Sequence, residues 1–289
     1  MCYDYKRLMR DVKILNENYG DFLESFSIGE SVMGKEIPCM KLGKGEKKML
    51  LIGSHHGLEY LTSAFLIKFL SNYIVKLITD SDYFGYDIKQ LHEKLTLYII
   101  PMLNPDGVDI AVNGLDITNP HHRRLISMVG IHSFNSVWQA NARGVDINHN
   151  YDANWKMTVS RPSPSKYGGT EAESEPETKS AVKFIREKDI DMLLCFHSQG
   201  REIYYDFDGM TAIRSEEIAR RMAMESGYAV AVPTGSASYG GCKDWFIKEF
   251  GKEGFTIEIG KGKNPLPMQM LDDVYEENAR LVLTAMTEA

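Results

Sequence analysis

The sequence predicts a single α/β domain over residues 1–289, built as a twisted, mixed but mostly parallel sheet with helices on both faces. Two observations carry this prediction. Apolar runs at residues 48–52, 95–100 and 190–196 lack the polar alternation of a sheet with one wet face, so they read as strands buried on both sides. Between them lie segments with apolar residues at helical spacing, and strands alternating with helices build parallel sheets covered on both faces. The length of 289 residues suffices for one large core, and no linker, internal repeat or low-complexity stretch divides it.

Each element has its own signal. Leu8, Met9, Val12, Leu15 and Tyr19 predict an amphipathic helix over 5–19, ended by Gly20. Residues 27–32 and 37–42 read as two short strands around a turn, and 48–52 as a buried strand. Leu61, Phe65, Leu66, Phe69, Leu70, Tyr73 and Ile74 predict a helix over 60–77, with a shorter one over 87–94. Strand 95–100 is broken by Pro101. No long periodic segment lies between 104 and 164, and so long an irregular stretch is expected to shape a cleft. A helix over 171–188 opens with acidic residues, strand 190–196 follows, and a helix over 211–227 stops at a glycine. An apolar strand over 254–260 and a closing helix over 272–289 complete the chain.

Composition excludes several classes of function. A formal charge of -7 argues against a nucleic-acid surface, and no apolar run approaches the roughly 20 residues needed to span a bilayer. The start Met1-Cys2-Tyr3-Asp4-Tyr5-Lys6 lacks the basic-then-apolar order of a secretion signal, so a cytoplasmic location is expected. Cys2, Cys39, Cys195 and Cys242 are scattered without a Cys-x-x-Cys pair, so neither a disulfide framework nor a structural zinc cluster is expected. Cys195 reads as a core residue of its strand and Cys242 as a small filler near the cleft. Oligomeric state is not legible.

The chemistry concentrates after residues 48–52. In Gly53-Ser54-His55-His56-Gly57-Leu58-Glu59, His56 and Glu59 stand three apart, so an imidazole nitrogen and a carboxylate can face one point. A catalytic zinc ion usually takes three protein ligands and keeps one position for water; His197, closing the run Met192-Leu193-Leu194-Cys195-Phe196, is the candidate third. Glu258, inside Gly254-Phe255-Thr256-Ile257-Glu258-Ile259-Gly260, is a carboxylate in an apolar run and looks like a general base. Loops leaving strand carboxyl ends gather in one crevice, which lets these distant residues converge.

His56-x-x-Glu59, Asn104-Pro105-Asp106-Gly107, Gly144-Val145-Asp146-Ile147-Asn148, His197-Ser198 and Phe255-Thr256-Ile257-Glu258 together resemble the zinc carboxypeptidase family, of which carboxypeptidase A is the familiar member. The phrases Trp138-Gln139-Ala140-Asn141-Ala142-Arg143-Gly144-Val145-Asp146 and Lys243-Asp244-Trp245-Phe246 look most like its bacterial branch that cleaves γ-D-glutamyl-diaminopimelate bonds. The resemblance implies one Zn2+ held by His56, Glu59 and His197, with Glu258 as general acid and base. It further implies Asp146 orienting the first histidine and Arg143 stabilising an oxyanion. Where carboxypeptidase A-like enzymes place Asn-Arg to clamp a terminal carboxylate, this chain has Asn148-His149, and histidine cannot supply a permanent two-pronged charge. Lys243 falls where the family sets side-chain preference. The register of the family's mobile tyrosine falls on Ser236, with Tyr239 nearby as the candidate.

The expectation is therefore a zinc peptidase acting on peptidoglycan (murein) peptides at γ-D-glutamyl-diamino-acid bonds. Two others stand beside it: a conventional metallocarboxypeptidase and a zinc-retaining module without turnover, against which the intact Glu258 speaks.

Overall fold

In a computed structural model, residues 2–116, 118–232 and 239–289 are described. The strands are β1 (Glu24–Glu30), β2 (Glu36–Leu42), β3 (Lys47–Ile52), β4 (Leu95–Ile100), β5 (Met192–His197), β6 (Glu202–Tyr204), β7 (Ala229–Ala231) and β8 (Glu253–Glu258). They form one sheet in the order β1-β2-β4-β3-β5-β8-β6-β7. The central run β4-β3-β5-β8 is parallel, flanked by antiparallel pairings of β1 with β2, β2 with β4 and β6 with β8. The helices are α1 (Tyr5–Tyr19), α2 (Tyr60–Thr79), α3 (Ile88–Lys94), α4 (Pro105–Asn113), α5 (Pro120–Arg123), α6 (Ile126–Val129), α7 (Phe134–Val137), α8 (Pro176–Lys188), α9 (Ser215–Ser226), α10 (Cys242–Phe250) and α11 (Leu271–Glu288).

Period-two alternation divides each central strand between two cores. Met49 and Leu51 of β3 and Leu194 and Phe196 of β5 pack with α1, α2, α9 and α11. Leu50 and Ile52, with Leu193 and Cys195, face α8 and α10 on the other side. Both faces are thus dry, which is why these strands read as unbroken apolar runs. Helix α2 is long and apolar enough to cross a membrane by length and composition, yet most of it is buried in the fold. Its Phe65 ring lies 5.2 Å from Phe196 of β5. A third, smaller cluster of Leu58, Ile110, Leu125, Val129, Trp138 and Ala140 packs the segment between β4 and α8.

Several boundaries differ from those read in the sequence. Strand β1 is shifted to Glu24–Glu30, because Ser31 to Lys35 form a turn closed by Gly34 N–H donating to Ser31 O. Helix α8 starts at Pro176 rather than near 171, since proline suits the first helical turn, where its missing N–H is not needed. The stretch after Asn104 does contain a helix: Asn104 caps α4 by accepting from Gly107 N–H at 2.9 Å, and Pro105 opens it. Strands β6 and β7 are three residues each, too short to show a period.

The consequence for function lies in register. Ile52 of β3 pairs with Cys195 of β5, and His197 of β5 pairs with Glu258 of β8. Three adjacent parallel strands therefore end side by side, and the loops leaving their carboxyl ends open on one crevice.

Candidate metal centre

The loop from β3 to α2 is held in place by backbone packing that leaves no room for side chains. A Cβ on Gly57 would lie 2.3 Å from the carbonyl oxygen of Gly107, and one on Gly107 would lie 2.4 Å from that of Ala140. Asn104 ties the same three segments: its Nδ2 donates to His55 O at 3.0 Å and to Gln139 O at 3.3 Å. The loop thereby delivers His56 and, at the N-cap of α2, Glu59.

His56 Nδ1 lies 2.9 Å from Glu59 Oε1, His197 Nδ1 lies 3.0 Å from Glu59 Oε2, and the two Nδ1 atoms are 3.3 Å apart. His56 Nε2 lies 3.2 Å from Asp146 Oδ1. This arrangement tests whether a cation belongs there. With the N–H on Nε2 donating to Asp146, the lone pair of Nδ1 faces a carboxylate and a second imidazole nitrogen, a convergence of acceptors that a bound cation or a proton relieves. Two imidazoles and one carboxylate are the donor set of a catalytic zinc site, so the residues fit that ion. His197 Nε2 is buried and has no partner among the described residues.

The protonation tendencies say the same. Burial opposes a charge on His56, but the carboxylates of Glu59 and Asp146 overcome it and hold its pKa well above the ordinary value. Burial would raise the carboxyl of Glu59, yet His56 and His197 bring it down. Asp146 is likewise held below the usual range against burial, by His56 and His149 and by N–H donation from Lys166. Glu258 goes the other way: burial, then the charges of Glu59 and Glu202, push it well above the ordinary value, with His56 opposing. It remains half-buried at the end of β8, where water and a ligand can reach it.

The other residues named from the sequence are placed as follows. Asp146 accepts from Asn148 N–H at 3.2 Å and from Lys166 N–H at 2.8 Å besides His56. Asn148 Oδ1 accepts from Cys242 N–H at 3.1 Å, which joins the turn at 147–149 to the start of α10. His149 donates from Nδ1 to Tyr239 O at 2.9 Å, and its Nε2 stands 3.9 Å from Asp146 Oδ2. Lys243 is buried, not solvated, with Nζ donating to Asp206 O at 2.5 Å and paired with Asp244. Arg143, 52% exposed in its side chain, lies 3.5 Å from Glu175 and makes no contact with the metal-ligand triad among the described residues. The ring of Tyr239 carries Lys156 Nζ at 3.5 Å from its centroid. Ser236 lies outside the described residues.

Sequence reasoning did not single out Asn264. It donates from Nδ2 to Ser198 O at 2.6 Å and to Glu59 Oε1 at 3.4 Å, and accepts from Ser198 Oγ at 2.8 Å. It therefore braces both the candidate ligand carboxylate of Glu59 and the peptide after His197. A polar residue in the Gly- and Pro-rich loop just beyond Glu258 was the available signal. Asn141 was also passed over. Its Oδ1 accepts from Arg143 N–H and Val145 N–H, and its Nδ2 donates to Glu175 and Glu177, folding the turn that leads to Asp146.

Comparison with known proteins identifies the family. The profile of the family described as zinc carboxypeptidase matches residues 8–281. The γ-D-glutamyl-L-diamino acid endopeptidase 1 of Lysinibacillus sphaericus is 34% identical over 289 residues, 98% of this chain and 72% of that protein. Human carboxypeptidase A6 is 26% identical over 265 residues, 85% of this chain and 57% of that protein. A crystal structure of thrombin activatable fibrinolysis inhibitor superposes with a TM-score of 0.81 at 21% identity, covering 99% of this chain and 73% of that one.

Proposed function

The chain belongs to the zinc carboxypeptidase family and is a hydrolase of the metallopeptidase type, and from this premise we propose that it cleaves γ-D-glutamyl-diamino-acid bonds, such as γ-D-glutamyl-diaminopimelate, in peptidoglycan peptides. The observation that carries the reading is His149. Its ring is committed to Tyr239 O and turned toward Asp146, so the position offers neither a permanent charge nor a two-pronged fork for a terminal α-carboxylate. A γ-linked substrate presents its free carboxylates elsewhere. The identity with the Lysinibacillus endopeptidase supports the same choice.

His56, Glu59 and His197 would hold one zinc ion. Bound there, zinc acidifies a water molecule and polarises a carbonyl group. Asp146 keeps the proton of His56 on Nε2 and so keeps Nδ1 free as a ligand. Glu258 accepts the proton of the attacking water and returns it to the departing amine, a double task suited to a carboxylate whose pKa lies above the ordinary range. Asn148, with its carbonyl end bonded to Cys242 N–H, keeps an amide end for substrate. Lys243 and Asp244 form a buried pair of opposite charges, which matches the zwitterionic far end of a diamino acid better than an apolar side chain. Arg143 serves the oxyanion by leaving Glu175, and the phenol of Tyr239 assists at the cleft edge. Four unpaired cysteines agree with a reducing, cytoplasmic compartment.

The test is a pair of assays on zinc-loaded protein: release of diaminopimelate from L-Ala-γ-D-Glu-diaminopimelate, and release of the C-terminal residue from blocked L-dipeptides. Turnover of the first alone is expected. Turnover of the second alone would replace the proposal with a conventional metallocarboxypeptidase, and turnover that survives metal removal would end both.

A further inference from the structure

Behind the metal-ligand triad lies a second set of ligand-type side chains. His55, Cys195 and Cys242 are each fully buried, and one ligand atom from each falls within 4.8 Å of the others. They come from three segments: His55 from the loop after β3, Cys195 from β5 two residues before His197, and Cys242 from the first position of α10. The His55 ring stacks on that of His197 at 5.1 Å, and its Nε2 lies 3.3 Å from the hydroxyl of Tyr151. His55 Nδ1 is buried with no hydrogen-bond partner among the described residues, and both cysteines are free. Two thiols and an imidazole with an unspent nitrogen are unusual contents for a core otherwise made of Ile52, Leu193, Tyr151, Trp245 and Phe246.

We propose that His55, Cys195 and Cys242 form a second, closed metal site for a soft divalent cation of filled d shell, zinc above all. Sulfur and imidazole nitrogen are its preferred donors, and two Cys with one His give three of the four ligands of a closed site, with the Tyr151 hydroxyl beside it. Charge favours a divalent ion. Two thiolates and a neutral imidazole around it sum to zero, which suits a site sealed from water. The scattered cysteines gave no sign of this in the sequence, because the pairing of β3 with β5 and the docking of α10 create it. Its role is structural: it ties together the three segments that carry His56, His197 and Lys243. It does not depend on which peptide the chain cleaves.

Metal content of the intact, reduced, zinc-equilibrated and desalted chain decides the matter. Two zinc ions per chain are expected, falling to one in Cys195→Ser and in Cys242→Ala. Replacement of zinc by cobalt should give a near-ultraviolet thiolate-to-cobalt absorption band in the wild type that both variants lack. One zinc per chain in the wild type, without that band, would overturn the proposal. So would a Cys195–Cys242 disulfide found by peptide mapping of the unreduced chain. Should a variant fail to fold, the count and the band of the wild type still give the answer.

Discussion

Replacing Asp146 by Asn isolates the support of one proposed metal ligand, His56. The carboxylate serves three donors: His56 Nε2–H and Asn148 N–H on Oδ1, and Lys166 N–H on Oδ2. An amide of the same shape has a single acceptor oxygen. With that oxygen toward His56, its NH2 group meets the N–H of Lys166; turned over, it meets both His56 and Asn148. In either case a part-buried donor loses its acceptor, at the lower end of about 1–3 kcal/mol. The negative charge that keeps the His56 proton on Nε2 is lost as well. Outer partners of metal-bound histidines are typically worth about 10–100-fold in metal affinity, which converts to about 1.4–2.7 kcal/mol. A zinc titration against a competing chelator should therefore show weakening in that range, while turnover per bound zinc falls less. Wild-type zinc affinity in a folded Asp146→Asn protein would refute the assignment of Asp146 as the brace of His56.

Glu258→Gln should keep its zinc content but lose turnover by about 10²–10⁴-fold, the usual worth of a positioned acid or base; activity near wild type would remove Glu258 from the mechanism. Asn264→Ala should weaken zinc binding through the freed Glu59 carboxylate and leave the far-ultraviolet spectrum alone, whereas an unchanged affinity would make its bonds to Ser198 and Glu59 incidental. The fold should also carry a pH signature at Glu177, whose carboxyl accepts from Val32 N–H and Asn141 Nδ2 and is pushed by burial up to about 7 from 4.5. Its folded pKa is raised, so the folded state binds more protons than the unfolded chain between those values. Stability from this group is present below pH 4.5 and is lost as pH climbs through 7, by about 3 kcal/mol at most. From pH 5 to 8 the unfolding free energy of wild type should fall relative to that of Glu177→Gln by roughly that amount, and a pH-independent difference would show that Glu177 is already ionised in the fold.

The parts legible in the sequence are those where local pattern and tertiary role coincide. The run before His56, the run before His197 and the run holding Glu258 are apolar because β3, β5 and β8 are buried on both faces, so a polar residue at their ends stands out. Helix α2 showed itself because one apolar stripe must reach Phe196 across the sheet. Helix α10 did not, since its Lys243-Asp244 start looks like a solvated face and is buried only because the two charges pair. Asn264 and Asn141 act through hydrogen bonds that reach residues far along the chain, Glu59 and Ser198 for the one and Glu175 and Glu177 for the other, for which no sequence period exists. The cysteine pair at the back of the crevice belongs to the same class: its members meet only after the strands have paired.

The arrangement of charges favours a cation among His56, Glu59 and His197. Glu59 and Asp146 contact His56, and burial first, then the charges of Glu59 and Glu202, raise the pKa of Glu258 well above the ordinary range. A protonated carboxyl cannot take a proton from water. Lone-pair donors of His56, His197 and Glu59 converge on one point, and a positive charge held there would offset the repulsion from Glu59 and lower the pKa of Glu258. The same convergence that would hold an ion thus also bears on the proton of the proposed base, Glu258. His197 and Glu258, paired across β5 and β8, are joined in this way by register. A one-residue slip between those strands would turn one of the two side chains to the opposite face and separate ligand from base while leaving the rest of the sheet's apolar pattern intact only on one side.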